Sequence, residues 1–229
     1  MVARPRVSLV VCTLDEEGNV GAVLRRVPPV VDEILVVDGR SRDRTVEEAL
    51  AADPRVRAVT QDGRGKGDAL RKGFRLARGD VVVQMDADGS MDPAEIPRFV
   101  AAIEAGADVA KGSRNLPGGG SDDLTPVRAF GNWWMCALGN ALHGARFTDL
   151  CYGFIAFRRR ALESIEISSN GFDVEAEVAL KLFRAGFRVV EVPSFEHDRM
   201  HGHSHLHAVR DGWTIVRTIL ALPLARPLR

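Results

Sequence analysis

Four short apolar runs, each followed by a helix-forming stretch, occupy residues 7–110, and this alternation restricts the chain to few architectures. Continuous apolar runs of this length read as strands buried on both faces. They fall at residues 7–12, 34–37, 56–60 and 81–85, with helices near 20–26, 44–52, 68–77 and 93–104. Such a repeat builds an α/β fold with a mostly parallel central sheet and helices on both faces. Ligands of these sheets bind beyond the carboxyl ends of the strands. Every polar cluster of this half falls there: Asp15-Glu16-Glu17 after the first run, Asp38 with Ser41 and Asp43 after the second, Gly63 to Gly67 after the third, and Asp86-Ala87-Asp88 after the fourth.

Beyond residue 110 the alternation lapses. A loop at 112–125 carries Gly118-Gly119-Gly120 and reads as mobile; an apolar helix with Trp133 and Trp134 follows. A strand near 151–157, a helix at 176–184 and a strand at 188–192 come next. The stretch 209–222 is an amphipathic helix with Val209, Trp213, Val216 and Leu220 at helical spacing. Tryptophans on an apolar helix point to core or oligomer contacts, hence a homodimer, or to a membrane headgroup boundary.

The 31 basic and 31 acidic side chains balance, which excludes the cationic excess of a nucleic-acid binder. Cys12, Cys136 and Cys151 are too few and too dispersed for a disulfide framework or a zinc cluster, so a reducing cytoplasm is expected. The apolar run at 7–12 is too short for an anchor, and no segment reaches the length needed to span a bilayer.

Asp86 and Asp88 stand two residues apart where a buried strand gives way to a loop. With extended geometry they would face one side, while Ala87 and Gly89 leave space for a bulky anion. Mg²⁺ or Mn²⁺ takes one or two such carboxylates and fills its shell with water and phosphate oxygens. A solvated acidic turn is the plainer alternative. Asp38 suits the hydroxyls or base edge of a nucleoside, and Ser41 or Asp43 suits helix capping. Gly63 to Gly67 fits either a phosphate cradle or a tight turn. Arg114 and Arg128 are placed to receive phosphate charge. The stretch from His197 to His207 holds five of the six histidines; it reads as a transition-metal site or, in preference, as a loop closing over substrate with Arg199 as its phosphate contact.

Taken in order, these clusters resemble a family-two glycosyltransferase of the GT-A nucleotide-diphospho-sugar transferase fold. Dolichyl- or polyprenyl-phosphate mannose and glucose synthases are the nearest members in kind. The resemblance is carried by Thr13-Leu14-Asp15-Glu16-Glu17-Gly18-Asn19-Val20, Val36-Val37-Asp38 with Ser41, Asp43 and Thr45, Gly65-Lys66-Gly67, Asp86-Ala87-Asp88-Gly89, Gly112-Ser113-Arg114, and Arg199 with Gly202, Ser204 and Leu206. It implies one GT-A domain over 1–229, with a nucleotide-binding half at 1–110 and an acceptor-binding half plus the terminal amphipathic helix at 111–229. Thr13, Leu14, Asp15, Glu16, Asp38, Lys66 and Asp86 would frame the nucleotide. Asp86 and Asp88 would hold the metal, and Arg114, Arg128, Arg199 and Ser204 would meet phosphate or acceptor. Asp149, Glu175 and Glu177 resemble acids near the acceptor. The chain departs from the pattern at Leu14, where tyrosine is usual, at Gly39 for a second acid, at Ser90 for glutamine, at His205 for lysine, and at Cys151-Tyr152.

The implied activity is inverting transfer of mannose or glucose from a GDP- or UDP-sugar to a polyprenyl phosphate, with Asp88, Asp149, Glu175 and Arg114 as catalytic candidates. Peripheral association with the inner membrane face follows from such an acceptor. Transfer to the hydroxyl of a small molecule or cell-wall precursor is the alternative. A sugar nucleotidyltransferase or a non-catalytic nucleotide-binding module ranks below both.

Overall fold

The computed structural model describes residues 4–202 and 207–222. The first half runs β1 (Val7–Thr13), α1 (Val20–Leu24), β2 (Glu33–Asp38), α2 (Thr45–Ala52), β3 (Val56–Thr60), α3 (Lys66–Leu76) and β4 (Val81–Asp86). A 3-10 turn, Pro93–Glu95, leads into α4 (Ile96–Glu104), then β5 (Val109–Ser113), β6 (Gly120–Ser121) and α5 (Pro126–His143). The chain continues through β7 (Ile155–Arg158), α6 (Arg159–Glu163), α7 (Val174–Arg184), β8 (Val189–Pro193), β9 (Phe195–Glu196) and α8 (Ala208–Ala221).

Seven strands form one sheet in the order β3-β2-β1-β4-β7-β5-β8. All pairs are parallel except those of β7, which runs antiparallel between β4 and β5. Side-chain alternation sends Val7, Leu9, Val11, Val81, Val83 and Met85 into one core, against Val23 of α1 and Phe99 and Ile103 of α4. Val10, Leu35, Val37 and Val82 enter the opposite core, against Leu70 and Phe74 of α3 and Val174, Val178 and Leu182 of α7. Helix α3 lies so close to the sheet that a β-carbon on Gly73 would come 2.4 Å from Val10 Cγ1. By the same alternation Asp86, two residues beyond Gln84 and four beyond Val82, is directed to the face that α3 and α7 cover.

A third apolar cluster joins α5, α7 and α8 through Cys136, Leu150, Leu180, Ile215 and Ile219. Helix α8 is amphipathic as expected, and the stripe it turns to this core is a second one. Ile215, Ile219 and Leu222 are the buried set, whereas Val209, Trp213 and Leu220 are exposed. The glycine-rich loop is also tied down: β6 pairs with β9, and Gly120 N and Asp122 N donate to Ser194 O and Glu196 O.

The start of α7 is anchored by Glu177. Its carboxylate accepts from Ser168 N at 2.9 Å, Ser169 N at 2.8 Å and Lys181 Nζ at 2.6 Å. Burial alone would raise the carboxyl, but these donors outweigh it and hold Glu177 at about 2, below its ordinary 4.5. A depressed carboxylate contributes stability that is present above pH 4.5 and is lost as pH falls toward 2. Glu177→Gln is therefore expected to cost roughly 2–3 kcal/mol at neutral pH, with the difference from wild type shrinking below pH 4.5, as followed by denaturant unfolding across pH.

Candidate active site

The carboxyl ends of β1, β2 and β4 stand level, with Thr13 beside Asp38 and Cys12 beside Asp86. The loops leaving β1 and β2 are fastened by side chains taking backbone amides. Asp15 N donates to Ser41 Oγ at 2.9 Å, Glu16 N to Thr45 Oγ1 at 2.7 Å, Glu17 N to Asp43 Oδ2 at 3.0 Å and Gly18 N to Glu48 Oε2 at 2.8 Å. In return Arg42 N donates to Asp15 Oδ1 at 2.7 Å. This lacing holds Asp15 at φ 54°, a conformation rare for a residue with a side chain. Asp43 also accepts from Thr45 N at 3.0 Å just ahead of α2, whose N-cap residue is Arg44, while Ser41 serves the neighbouring loop. Asp38 is buried and accepts from Ser41 Oγ at 2.6 Å, Arg40 N at 2.9 Å, Ser41 N at 3.0 Å and Thr13 Oγ1 at 3.2 Å. Leu14 remains exposed over Gly39, whose β-carbon would lie 3.3 Å from Leu14 Cδ1.

Lys66 occupies the first turn of α3, two residues before the helix expected from sequence, because Gly65 breaks the chain at φ 90°. Its ammonium lies 2.6 Å from Asp86 Oδ1 and 2.7 Å from Glu175 Oε1 of α7. Burial opposes the charge, yet the two carboxylates hold the ammonium well above its usual range. Burial pushes the Glu175 carboxyl up, Lys66 draws it back and Asp86 adds to the rise. Three glycines make room for this triad. A β-carbon on Gly153 would meet Glu175 Oε1 and Lys66 Nζ at 3.2 Å and Asp86 Oδ2 at 3.5 Å. On Gly65 and Gly67 it would fall 2.1 Å from Asn170 O and 2.0 Å from Ser169 O. Of the two readings of Gly63 to Gly67, this packing fits the tight turn: Gly65 and Gly67 seat α3 against the loop that leads into α7.

Strand β4 ends at Asp86, so the extended geometry that would put both aspartates on one side does not persist. Asp88 turns to its own partners. Its Oδ1 accepts from Ser90 Oγ at 2.7 Å and Ser90 N at 3.1 Å, and its Oδ2 lies 3.1 Å from Arg199 Nη1. The other Arg199 arm reaches Glu16 Oε2 at 2.5 Å. Met200 N donates to Asp88 O at 3.0 Å, and the Met200 side chain packs where a β-carbon on Gly89 would stand. The segment after β9 thus crosses the aspartate loop as a strap.

Other sequence candidates are placed elsewhere. Arg114 grips Asp149 through Nε at 2.7 Å and Nη2 at 3.0 Å, gives Nη1 to Glu196 at 3.0 Å, and stacks 4.9 Å from the Tyr152 ring. Burial would raise the Asp149 carboxyl, but the Arg114 fork holds it below the usual carboxylate range. Asp149, expected as a base, and Arg114, expected as a phosphate contact, are joined in this structure as a largely buried ion pair that positions the loop after β5. Glu196 was not among the candidates, and a two-residue strand offers no sequence signal for it. Arg128 pairs with Asp123 at the start of α5 and does not touch the aspartates. Glu177 anchors the 168–169 backbone rather than facing the triad. His197 lies 3.6 Å from Asp122, and His201 O accepts from Arg199 Nε and Asn19 Nδ2. Ser204, with His203 and His205, lies outside the described residues.

Among the described residues no three metal-binding side chains converge. What remains is a partly exposed pair, Asp86 at 27% and Asp88 at 22%, in a site where, among the described residues, Asp86, Asp88, Glu16 and Glu175 pair with the cations Lys66 and Arg199. An oxygen-only donor pair with surplus negative charge matches Mg²⁺ or Mn²⁺, which leaves coordination positions to water and phosphate.

The model of glycosyl transferase family 2 matches residues 8–166. Relatives include the undecaprenyl-phosphate mannosyltransferase of Micrococcus luteus, 36% identical over 202 residues covering 82% of each chain, and the polyprenol monophosphomannose synthase of Mycolicibacterium smegmatis, 36% identical over 82% of this chain and 76% of that one. A low-salt glycan biosynthesis hexosyltransferase of Haloferax volcanii is 31% identical over 94% of this chain, which spans 53% of that protein's length. Among solved structures, glucosyl-3-phosphoglycerate synthase of Mycobacterium tuberculosis in complex with Mn²⁺, UDP-glucose and phosphoglyceric acid superposes with a TM-score of 0.78 at 22% identity, over 97% of this chain and 81% of that one. The chain belongs to glycosyl transferase family 2. It is a glycosyltransferase with the GT-A-like α/β fold.

If the Arg114–Asp149 pair is positional, Arg114→Met leaves a buried carboxylate unpaired and lowers stability by about 3–5 kcal/mol, whereas Arg114→Met/Asp149→Leu restores most of it. Denaturant midpoints of the two variants and wild type check this.

Proposed function

We propose that the chain transfers a hexose, mannose or glucose, from a nucleoside-diphosphate sugar to a polyprenyl phosphate, with inversion at the anomeric carbon. Residues 1–110 supply the nucleotide side of the cleft and residues 111–229 the acceptor side. The carrying observation is that the adjacent carboxylates Asp86 and Asp88 each have a cationic side chain as partner, Lys66 and Arg199. The names of the mannosyltransferase and phosphomannose synthase relatives support the acceptor and the sugar.

A divalent cation held by Asp86 and Asp88 would neutralise charge on the departing diphosphate. Arg199 sits on the strap beside Asp88 and is the protein cation best placed to exchange its carboxylate partner for a diphosphate oxygen, where negative charge develops. Lys66 holds Asp86 in place. Asp15, Glu16, Asp38 and the exposed Leu14 bound the nucleoside end, with Asp38 holding the Thr13–Ser41 corner rigid. An acceptor phosphate is already anionic near neutral pH, its second ionisation lying at about 6, and attacks without a general base. Glu175 then acts by holding Lys66.

One observation favours a second reading, in which a soluble hydroxyl compound is the acceptor. Burial raises the Glu175 carboxyl, as suits a general base, and a fold neighbour is named for transfer to phosphoglycerate. Glu175→Gln separates the two. A phosphate acceptor predicts a loss below about tenfold, and a hydroxyl acceptor predicts a loss of roughly 10²–10⁴-fold.

Asp88→Asn is expected to reduce transfer by at least ~10²-fold. It should also abolish the extra thermal stabilisation that Mn²⁺ gives to a bound nucleoside diphosphate, while the unliganded melting point stays near wild type. A variant that transfers sugar equally well in chelator would refute the assignment of the two aspartates.

A further inference from the structure

The chain contains three tryptophans, and all three are exposed: Trp133 at 61%, Trp134 at 51% and Trp213 at 63%. Large aromatic side chains are ordinarily buried, so their concentration on one pair of helices requires a partner. Trp133 and Trp134 lie on the outer side of α5 with Phe130, whose ring centroid is 5.8 Å from that of Trp133. Trp213 lies on the outer side of α8 with Val209. The two helices pack side by side, with His143 at the end of α5 meeting Ile219 O near the end of α8 at 3.1 Å. Both rest on α7, the helix that carries Glu175.

The exposed charges on the two helices themselves are basic, with Arg128 paired to Asp123 just ahead of α5. Helix α5 contains no carboxylate. The only one in α8, Asp211, is buried; it accepts from His207 N at 2.7 Å and from Arg210 Nε at 3.3 Å, which leaves the rest of the Arg210 guanidinium outward. Arg210 and Arg217 stand exposed on α8. From this juxtaposition of exposed aromatics with exposed arginines on two helices that carry no exposed carboxylate, we infer that the outer faces of α5 and α8 dock on an anionic lipid surface. Tryptophan is favoured at the headgroup level, phenylalanine and valine enter the acyl boundary, and arginine meets lipid phosphate. A second copy of the chain fits less well, because a two-fold contact through this patch sets arginine against arginine with no exposed carboxylate on either helix to answer them. The inference deepens the lipid-linked acceptor reading and rests on it for its purpose: docking brings the layer that holds Glu175 to the surface where a polyprenyl phosphate would be embedded.

Because every tryptophan belongs to the patch, the intrinsic fluorescence of the full chain reports it directly. Vesicles of phosphatidylcholine with phosphatidylglycerol are expected to shift the emission to shorter wavelength and to carry the protein into the pellet on sedimentation. Arg210→Gln and Arg217→Gln should each weaken vesicle binding roughly fivefold, an effect that added salt reduces. Trp133→Ser/Trp134→Ser/Trp213→Ser should abolish pelleting with an unchanged circular dichroism melt. An unshifted emission with protein left in the supernatant overturns the proposal. So does an emission shift that appears without vesicles as protein concentration rises, which would assign the patch to a second copy. The two readings fail separately: pelleting with transfer only to soluble hydroxyls sinks the acceptor and leaves the docking face, whereas transfer to polyprenyl phosphate in detergent without pelleting does the reverse.

Discussion

The buried ammonium of Lys66, set between Asp86 and Glu175, is the contact on which the arrangement of this site depends. It joins three elements that are remote in sequence: the end of β4, the first turn of α3 and the start of α7. A charge so enclosed is tolerated only when paired and hydrogen-bonded, and removing one member would leave the others uncompensated. The surrounding backbone yields to this requirement. Gly65, Gly67 and Gly153 lack side chains where a methyl would strike the 169–170 backbone or the triad itself. Glu177 fixes the Ser168 and Ser169 amides so that this backbone stays in place.

Around the triad the chain uses one device repeatedly, which is to satisfy loop amides with side chains from a neighbouring loop. The lacing of residues 15–18 by Ser41, Thr45, Asp43 and Glu48 makes the nucleotide edge rigid without regular structure. Rigidity is useful where donors must be aimed before charge develops. The strap differs in kind. Arg199 joins it to Asp88 and Glu16 through charged contacts that a polyanionic ligand could replace, whereas the Arg114–Asp149 pair is sealed from such exchange.

Much of this was legible in the residues. Apolar runs of four to six residues located β1 to β4 closely, since a strand buried on both faces has little choice of composition. The acids at their carboxyl ends followed from the geometry of parallel sheets. Three things were not legible. The apolar segment Ile155–Arg158 reads the same in either direction, so its antiparallel entry between β4 and β5 has no local signature. Arg114 and Asp149 are 35 residues apart, and only folding reveals that the arginine is already spent on a carboxylate. Helix α8 carries two apolar stripes at helical spacing, Ile215 with Ile219 and Val209 with Trp213, and periodicity alone does not say which one meets the core. The sixfold clustering of glycine and acid motifs, by contrast, identified the family because each motif answers a separate physical demand of the same cleft.

The account rests on partner exchange at the end of β4, and a crystal structure of the chain with Mn²⁺ and an intact nucleoside-diphosphate sugar tests it most directly. The expected result is Asp88 turned from Arg199 to the cation, Arg199 on the diphosphate, and Lys66 still against Glu175. A donor bound in the cleft with the Arg199–Asp88 pair intact and no cation at Asp86 or Asp88 would contradict it.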